Sequence, residues 1–227
     1  MRQLVIILRG LFITGLITVN AFSITPLTGT RIIFNLPAEN ASAVFKNNSE
    51  IERKINAWVT DIDNKVVENF TVHVSNPLLQ AKMKSTITIK IRNKNLISKK
   101  QESLYWLNIA EDKNNHTNKI TRMKLLVRPQ GLAFIDLNKD LIFSEDNKKI
   151  MIKNDSAHYI TIINLTVNQQ ERILAEDYLA PFSSLILENS STQNVLSMNI
   201  IQDSGITLNI TKHLYQDHSL YTNKPLK

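Results

Sequence analysis

The stretch "IIQDSGIT", with Asp203-Ser204-Gly205 at its centre, is the first place in this 227-residue sequence where residue types suggest catalysis. Two apolar residues followed by Asp-Ser-Gly loosely match an aspartic-protease loop. That chemistry needs two carboxylates sharing a proton at close range. No second Asp-Thr/Ser-Gly occurs, and Gln202 separates the apolar pair from Asp203, so a turn between strands is the better reading. The five histidines, His73, His116, His158, His213 and His218, form no HxH or HExxH spacing. They read as surface or turn residues, and no metal site is expected. G-x-S-x-G, P-loop and G-x-G-x-x-G sequences are absent, so no cofactor is expected. No aromatic cluster interleaves with the lysines, so no stacking platform for nucleic acid is expected.

A second stretch offers binding rather than catalysis. In "TRMKLLVRP", Arg122, Lys124 and Arg128 share one parity with Leu126, while Met123, Leu125 and Val127 share the other. Successive side chains of a strand point to opposite faces. As a strand, this segment has one apolar face and one face carrying three cations. A basic ridge of that kind either solvates the surface or holds an anion.

The elements that would carry these residues are strands. "STITIKIR" puts Ile87, Ile89 and Ile91 on one face, and "ERKINAWVTD" does the same with Ile55, Ala57 and Val59. "KKIMIKN", "HYITIINLTV", "NVLSMNII" and "GITLNITK" are further short runs rich in Ile, Val, Thr and Leu, separated by polar clusters such as "KNNSE" and "KNDSAH". The pattern predicts an all-β sandwich architecture. The best helix candidate is "QQERILAEDYLA", good for a turn or two. An immunoglobulin-type sandwich takes about 100 residues, so two such domains are predicted, joined at "RPQGLAF" where Pro129 and Gly131 interrupt the pattern. No sequence repeat between the halves is apparent.

The N-terminus, "MRQLVIILRGLFITGLITVNAFS", has the basic start, apolar run and small residues of a cleaved secretory signal, with cleavage favoured after Ser23. No later segment is apolar enough to cross a membrane. The resulting division is 1–23 signal peptide, 24–130 first domain, 131–213 second domain and 214–227 a polar tail. The apolar fraction of 43% suffices for a sizeable core, and cysteine is absent, which excludes disulfides. The formal net charge of +7 admits an anionic partner.

Taken in order behind a signal peptide, "GTRIIF", "KNNSEIERKINAWV", "ESLYWLNI", "TRMKLLVRP" and "IIQDSG" resemble the periplasmic chaperones of the chaperone–usher pathway, the PapD-like family. The resemblance runs from about Thr30 to about Lys212. It implies two immunoglobulin-like domains set at an angle with a cleft between them. It further implies a non-enzymatic protein that lends a strand to incomplete pilus or fimbrial subunits and delivers them to an outer-membrane usher. By the same resemblance, Arg31 and Lys124 bind the subunit's C-terminal carboxylate, and Glu102, Arg128 and Asp203 form an ion network between the domains. The donated strand falls on Thr117, Lys119, Ile120, Thr121, Arg122 and Met123. There the chain departs from the family, whose donor strand carries alternating large apolar residues: the matching positions read Asn115, Thr117 and Lys119, with Ile120 out of phase. The short connection "AEDKNNHTNK" resembles the short-loop subgroup. The competing reading is a secreted immunoglobulin-like adhesin or structural module that shares only the fold.

Overall fold

The computed structural model describes residues 24–113, 116–146, 148–188 and 193–215, so the signal segment and most of the tail lie outside the described residues. Nine strands form the first sandwich: β1 (Ile24–Pro26), β2 (Arg31–Asn35), β3 (Ala41–Asn47), β4 (Arg53–Thr60), β5 (Phe70–Val74), β6 (Leu78–Leu79), β7 (Lys84–Ile91), β8 (Ser103–Lys113) and β9 (His116–Arg128). One sheet runs β1-β3-β7-β5, the other β2-β9-β8-β4-β6. The two-residue alternation places Ile87, Ile89 and Ile91 of β7 inward against Leu107, Ile109, Met123 and Leu125 of the facing sheet. Phe34 and Phe45 complete this core without solvent contact.

The second sandwich holds a short α1 (Leu137–Asp140), then β10 (Leu141–Asp146), β11 (Lys149–Asn154), β12 (Ile160–Val167), β13 (Gln170–Glu171), β14 (Tyr178–Leu179), β15 (Ser184–Glu188), β16 (Gln193–Ile201) and β17 (Thr207–Tyr215). Its sheets are β10-β11-β15 and β13-β12-β16-β17, with β14 beside β12. Ile150, Ile152, Leu165, Leu196, Met198 and Ile200 form its core.

The helix expected within 169–180 does not form. Asn168 and Gln169 both take positive φ, 51° and 66°, and join β12 to β13 as a two-residue hairpin. Such loops need two left-handed residues, a geometry closed to a helix start. Ile173, which a helix would have turned to the core, is 98% exposed. The short helix lies instead at Leu137–Asp140, where the Asp136 side chain accepts from Asn138 N.

The halves also share a repeat that sequence inspection missed. Asn47 and Asn154 are fully buried, each at the end of a strand and followed two residues on by Ser. Asn47 Nδ2 donates to the carbonyls of Ile51, Leu79 and Gln80, and its Oδ1 accepts from Ser49 N and Oγ. Asn154 Nδ2 donates to the carbonyls of His158, Leu179 and Ala180, and its Oδ1 accepts from Ser156 N and Oγ. The backbones match too: Asn47 N reaches Met83 O and Asn154 N reaches Ser183 O, each at 2.9 Å. One amide thus bridges three carbonyls, some of them buried, and a turn in each sandwich, which makes it costly to replace. In sequence the repeat is only Lys-Asn-x-Ser, at 46–49 and 153–156, and it passes for composition in an Asn-rich chain.

Candidate functional site

The basic ridge of β9 is not a solvated face. Over Lys124–Arg128 it lies against the second sandwich, so Lys124 and Leu126 are as buried as Met123 and Leu125 on the opposite side. β2 runs parallel to β9 with Arg31 opposite Lys124. The two cations therefore stand side by side in the cleft between the sandwiches, their side chains 8% and 7% exposed. The lining of the cleft includes Thr30, Trp106, Arg122, Thr161, Asp177 and Ile201, around a cavity of about 340 Å³.

Each cation meets the second sandwich. Lys124 Nζ is 2.5 Å from Asp177 Oδ2. Its Nζ also lies 5.9 Å from the Trp106 ring and 5.7 Å from the Tyr178 ring. Arg31 Nη1 donates to Thr161 Oγ1 at 3.3 Å. Nη2 is 3.7 Å from Asp203 Oδ1, too long for a hydrogen bond, and is buried with no hydrogen-bond partner among the described residues. Burial pulls both cations below their ordinary pKa, against the opposing pull of Asp203 on Arg31 and of Asp177 on Lys124. The pair is a partly dehydrated double cation with one donor to spare, which is the chemistry of a carboxylate site.

Next to it, Glu102, Arg128 and Asp203 come together. Arg128 Nε donates to Glu102 Oε1 and Nη1 to Asp203 Oδ2, each at 2.7 Å. Glu102 precedes β8, Arg128 ends β9, and Asp203 sits in the β16–β17 turn, where Gly205 takes φ +83°. Asp203 is thus held by guanidinium groups, not by a second carboxylate. The Glu102 side chain has no solvent exposure. Its Oε2 accepts from Tyr159 N at 2.8 Å, and its own N–H donates to Ala157 O. Burial alone would push the Glu102 carboxyl up, but His158, Tyr159 N–H and Arg128 together hold it below the ordinary range.

His158 was not expected here. It is buried, with Nε2 2.8 Å from Ala133 O and Nδ1 3.3 Å from Glu102 Oε1. Nε2 faces a carbonyl, and Nδ1 lies beside a carboxylate oxygen without hydrogen-bond geometry, so the Glu102 charge favours a protonated ring. The Glu102 carboxylate raises its pKa, more than burial lowers it. Asp177 and Tyr159 were missed as well. Nothing near them in sequence pairs Asp177 with Lys124 or Tyr159 N with Glu102, and only the packing of the two sandwiches does so.

The expected donor residues occupy the outer half of β9. Met123 is buried, Ile120 is 50% exposed, and Arg122 stacks on Trp106 with its guanidinium 4.4 Å from the ring centre. Thr121 is partly buried. Thr117 and Lys119 do not follow one simple alternation. The β8–β9 register steps from Glu111↔Lys119 to Asp112↔Thr117, so Asn118 is an extra residue, a β-bulge that puts the backbone before it out of phase with the backbone after it. Asn115 lies outside the described residues. β9 has β8 on one side throughout, but β2 covers its other side only from Lys124 to Arg128. Among the described residues, no strand pairs with the outer side of 116–123. No cluster of metal-ligating side chains occurs among them either.

Two immunoglobulin-like sandwiches thus meet at a cleft holding two buried cations, with an open strand edge leading to it. Comparisons with known proteins give the family. Residues 25–133 match the PapD N-terminal domain of pili and flagellar-assembly chaperones, and residues 136–212 match the C-terminal domain of the PapD pili assembly chaperone. The chain belongs to this family of pilus-assembly chaperones. It is 28% identical over 225 residues to the probable fimbrial chaperone YehC of Escherichia coli K12, covering 87% of this chain and 93% of that one. It is 26% identical over 196 residues to the chaperone SefB of Salmonella enteritidis, covering 78% of each. In fold it is similar to the E. coli chaperone DraB, with a TM-score of 0.70 at 21% identity over 85% of this chain and 97% of that one. It is also similar in fold to a Salmonella enterica structure of the SafA pilin in complex with the SafB chaperone, with a TM-score of 0.69 at 22% identity, covering 86% and 96%. The family match favours a chaperone over an adhesin that shares only the fold.

Proposed function

We propose that this chain is a periplasmic chaperone that captures an incomplete pilus subunit along the outer edge of β9, with the subunit's C-terminal carboxylate held between Arg31 and Lys124, and passes it to an outer-membrane usher. The observation that carries this reading is the geometry of β9. Its unpaired edge at 116–123 runs directly to the paired cations, and there β2 takes over the edge. An incoming strand parallel to β9 would lie in line with β2 and end where β2 begins. Its terminal anion would meet the spare donor of Arg31 and the ammonium of Lys124. A fixed terminus fixes the register of the whole added strand, which otherwise slips freely in steps of two residues. Binding of this kind makes and breaks no covalent bond, so the protein acts as a scaffold and not as an enzyme.

The bulge at Asn118 bears on the polar donor strand. The backbone before it is shifted by one residue, so a strict alternation counted back from Lys124 does not describe the face offered to a subunit. In this reading Ile120 presents the apolar group on the exposed face.

Replacing Lys124 or Arg31 by Ala tests the anchor. Loss of one partner of a dehydrated charge pair costs about 2–5 kcal/mol, roughly a thirtyfold to several-thousandfold loss of affinity. Each variant should recover far less of the cognate subunit when the two are co-purified from periplasm, while its thermal melt stays cooperative. Because both cations act on one anion, the double variant should lose less than the sum of the singles. Undiminished recovery with both single variants would remove the anchor.

A further inference from the structure

The cations of the cleft are already matched by anions before any subunit arrives. Arg31, Lys124 and Arg128 face Glu102, Asp177 and Asp203. A further carboxylate that takes the Lys124 ammonium competes with the anion already seated there. Glu102 is fully buried and held by Arg128 and Tyr159 N. Asp203 is held at 2.7 Å by Arg128, which does not belong to the anchor pair. Asp177 differs from both. Its side chain is 61% exposed, it sits just before the two-residue strand β14, and Lys124 is the one cation its carboxylate pairs with among the described residues. Leaving Lys124 returns it to water at little desolvation cost.

We propose that Asp177 is an internal stand-in for the subunit's terminal carboxylate, seated on Lys124 in the subunit-free chain and displaced when a chain end enters the cleft. The inference rests on the anchor reading of Arg31 and Lys124. Asp177 holds Lys124 alone, whereas the buried Nη2 of Arg31 has no hydrogen-bond partner among the described residues. A carboxylate able to touch both cations makes bonds that Asp177 does not, and so it wins the exchange. A carboxylate able to reach only Lys124 gains nothing over Asp177. The stand-in thereby selects for chain ends against side-chain carboxylates that cannot span the pair. It also keeps the Lys124 ammonium paired while the cleft is empty. The apparent affinity for an incoming carboxylate is reduced to the fraction of Lys124 that Asp177 leaves free.

The test uses the full mature chain and N-acetylglycine as a minimal chain end, with N-acetylglycinamide as its uncharged counterpart. Binding is followed by NMR at the Lys124 ammonium and the Arg31 guanidinium. Asp177→Asn is compared with Glu176→Gln, which removes the neighbouring negative charge that also acts on Lys124 but does not sit on it. The expected result is that D177N binds N-acetylglycine about fivefold or more tightly than wild type, in line with a mostly occupied Lys124. E176Q should change affinity little, and the amide should shift neither cation. Equal affinity in wild type and D177N, or equal gains in D177N and E176Q, would overturn the stand-in while leaving the anchor. If N-acetylglycine perturbs neither Arg31 nor Lys124 in any of the three proteins, the anchor reading falls and the stand-in with it.

Discussion

Glu102 and His158 make the junction sensitive to pH in two directions. Buried between Arg128, Tyr159 N–H and His158, the Glu102 carboxyl is held below its ordinary value, and Arg128 does the same for Asp203 against the upward push of burial. A carboxyl lowered on folding stabilises above its unfolded pKa, about 4.3 for Glu and 3.9 for Asp, and loses that stabilisation as pH falls through its folded value. His158 is raised, chiefly by Glu102. Its contribution is complete below the unfolded pKa of about 6.5 and is lost as pH rises through the folded value. The junction is therefore firmest between about pH 5 and 6.5. Thermal melts across pH should show wild type losing stability above that window, and His158→Gln should flatten the loss while leaving the acid-side fall in place. An unchanged alkaline slope in the variant would exclude His158 as the titrating group. Arg31, Lys124, Glu102, Arg128 and Asp203 could be picked out only because the motifs around them, taken in order, resemble the family's; alone, each reads as a surface or turn residue. His158 and Asp177 could not, because neither sits in such a motif and each meets its partner only where the two sandwiches pack.

At the scale of elements, the alternating runs of β4, β7 and β9 were legible because one face of each is buried and period two then fixes the phase. The bulge at Asn118 was not, since an extra residue in one strand shows only against its partner. The hairpin at Asn168-Gln169 was lost to a helical reading of the residues after it. The buried amides of Asn47 and Asn154 were not legible because Lys-Asn-x-Ser, at 46–49 and 153–156, looks like ordinary polar turn sequence. Replacing either by Ala leaves at least one buried carbonyl without its partner, at about 1–3 kcal/mol for each such group. Asn154→Ala should lower the melting of the second sandwich and Asn47→Ala that of the first, as followed by amide exchange in each core. A variant that melts like wild type would show that water replaces the amide without loss.

For the whole molecule, the two sandwiches are tied through Arg128, Glu102, Asp203, His158 and the Glu102–Ala157 backbone bond. Arg128→Ala leaves a buried carboxylate with His158 and a backbone N–H but without its guanidinium partner. Breaking a buried pair in this way costs about 3–5 kcal/mol, so the junction should loosen. Solution scattering should give a larger radius of gyration and a broader distance distribution for this variant. Superimposable profiles would mean that the remaining contacts set the domain arrangement alone.

Hydrogen exchange tests the proposed addition of a subunit strand to the open edge of β9. Amides of 116–123 face no strand on their outer side among the described residues, whereas 124–128 are covered by β2. Exchange is compared for the free chain and for its complex with the cognate subunit. Strong new protection across 116–123, fading at Lys124 where protection already exists, is the predicted result. A stable complex in which 116–123 exchange as fast as in the free chain would contradict strand addition at this edge.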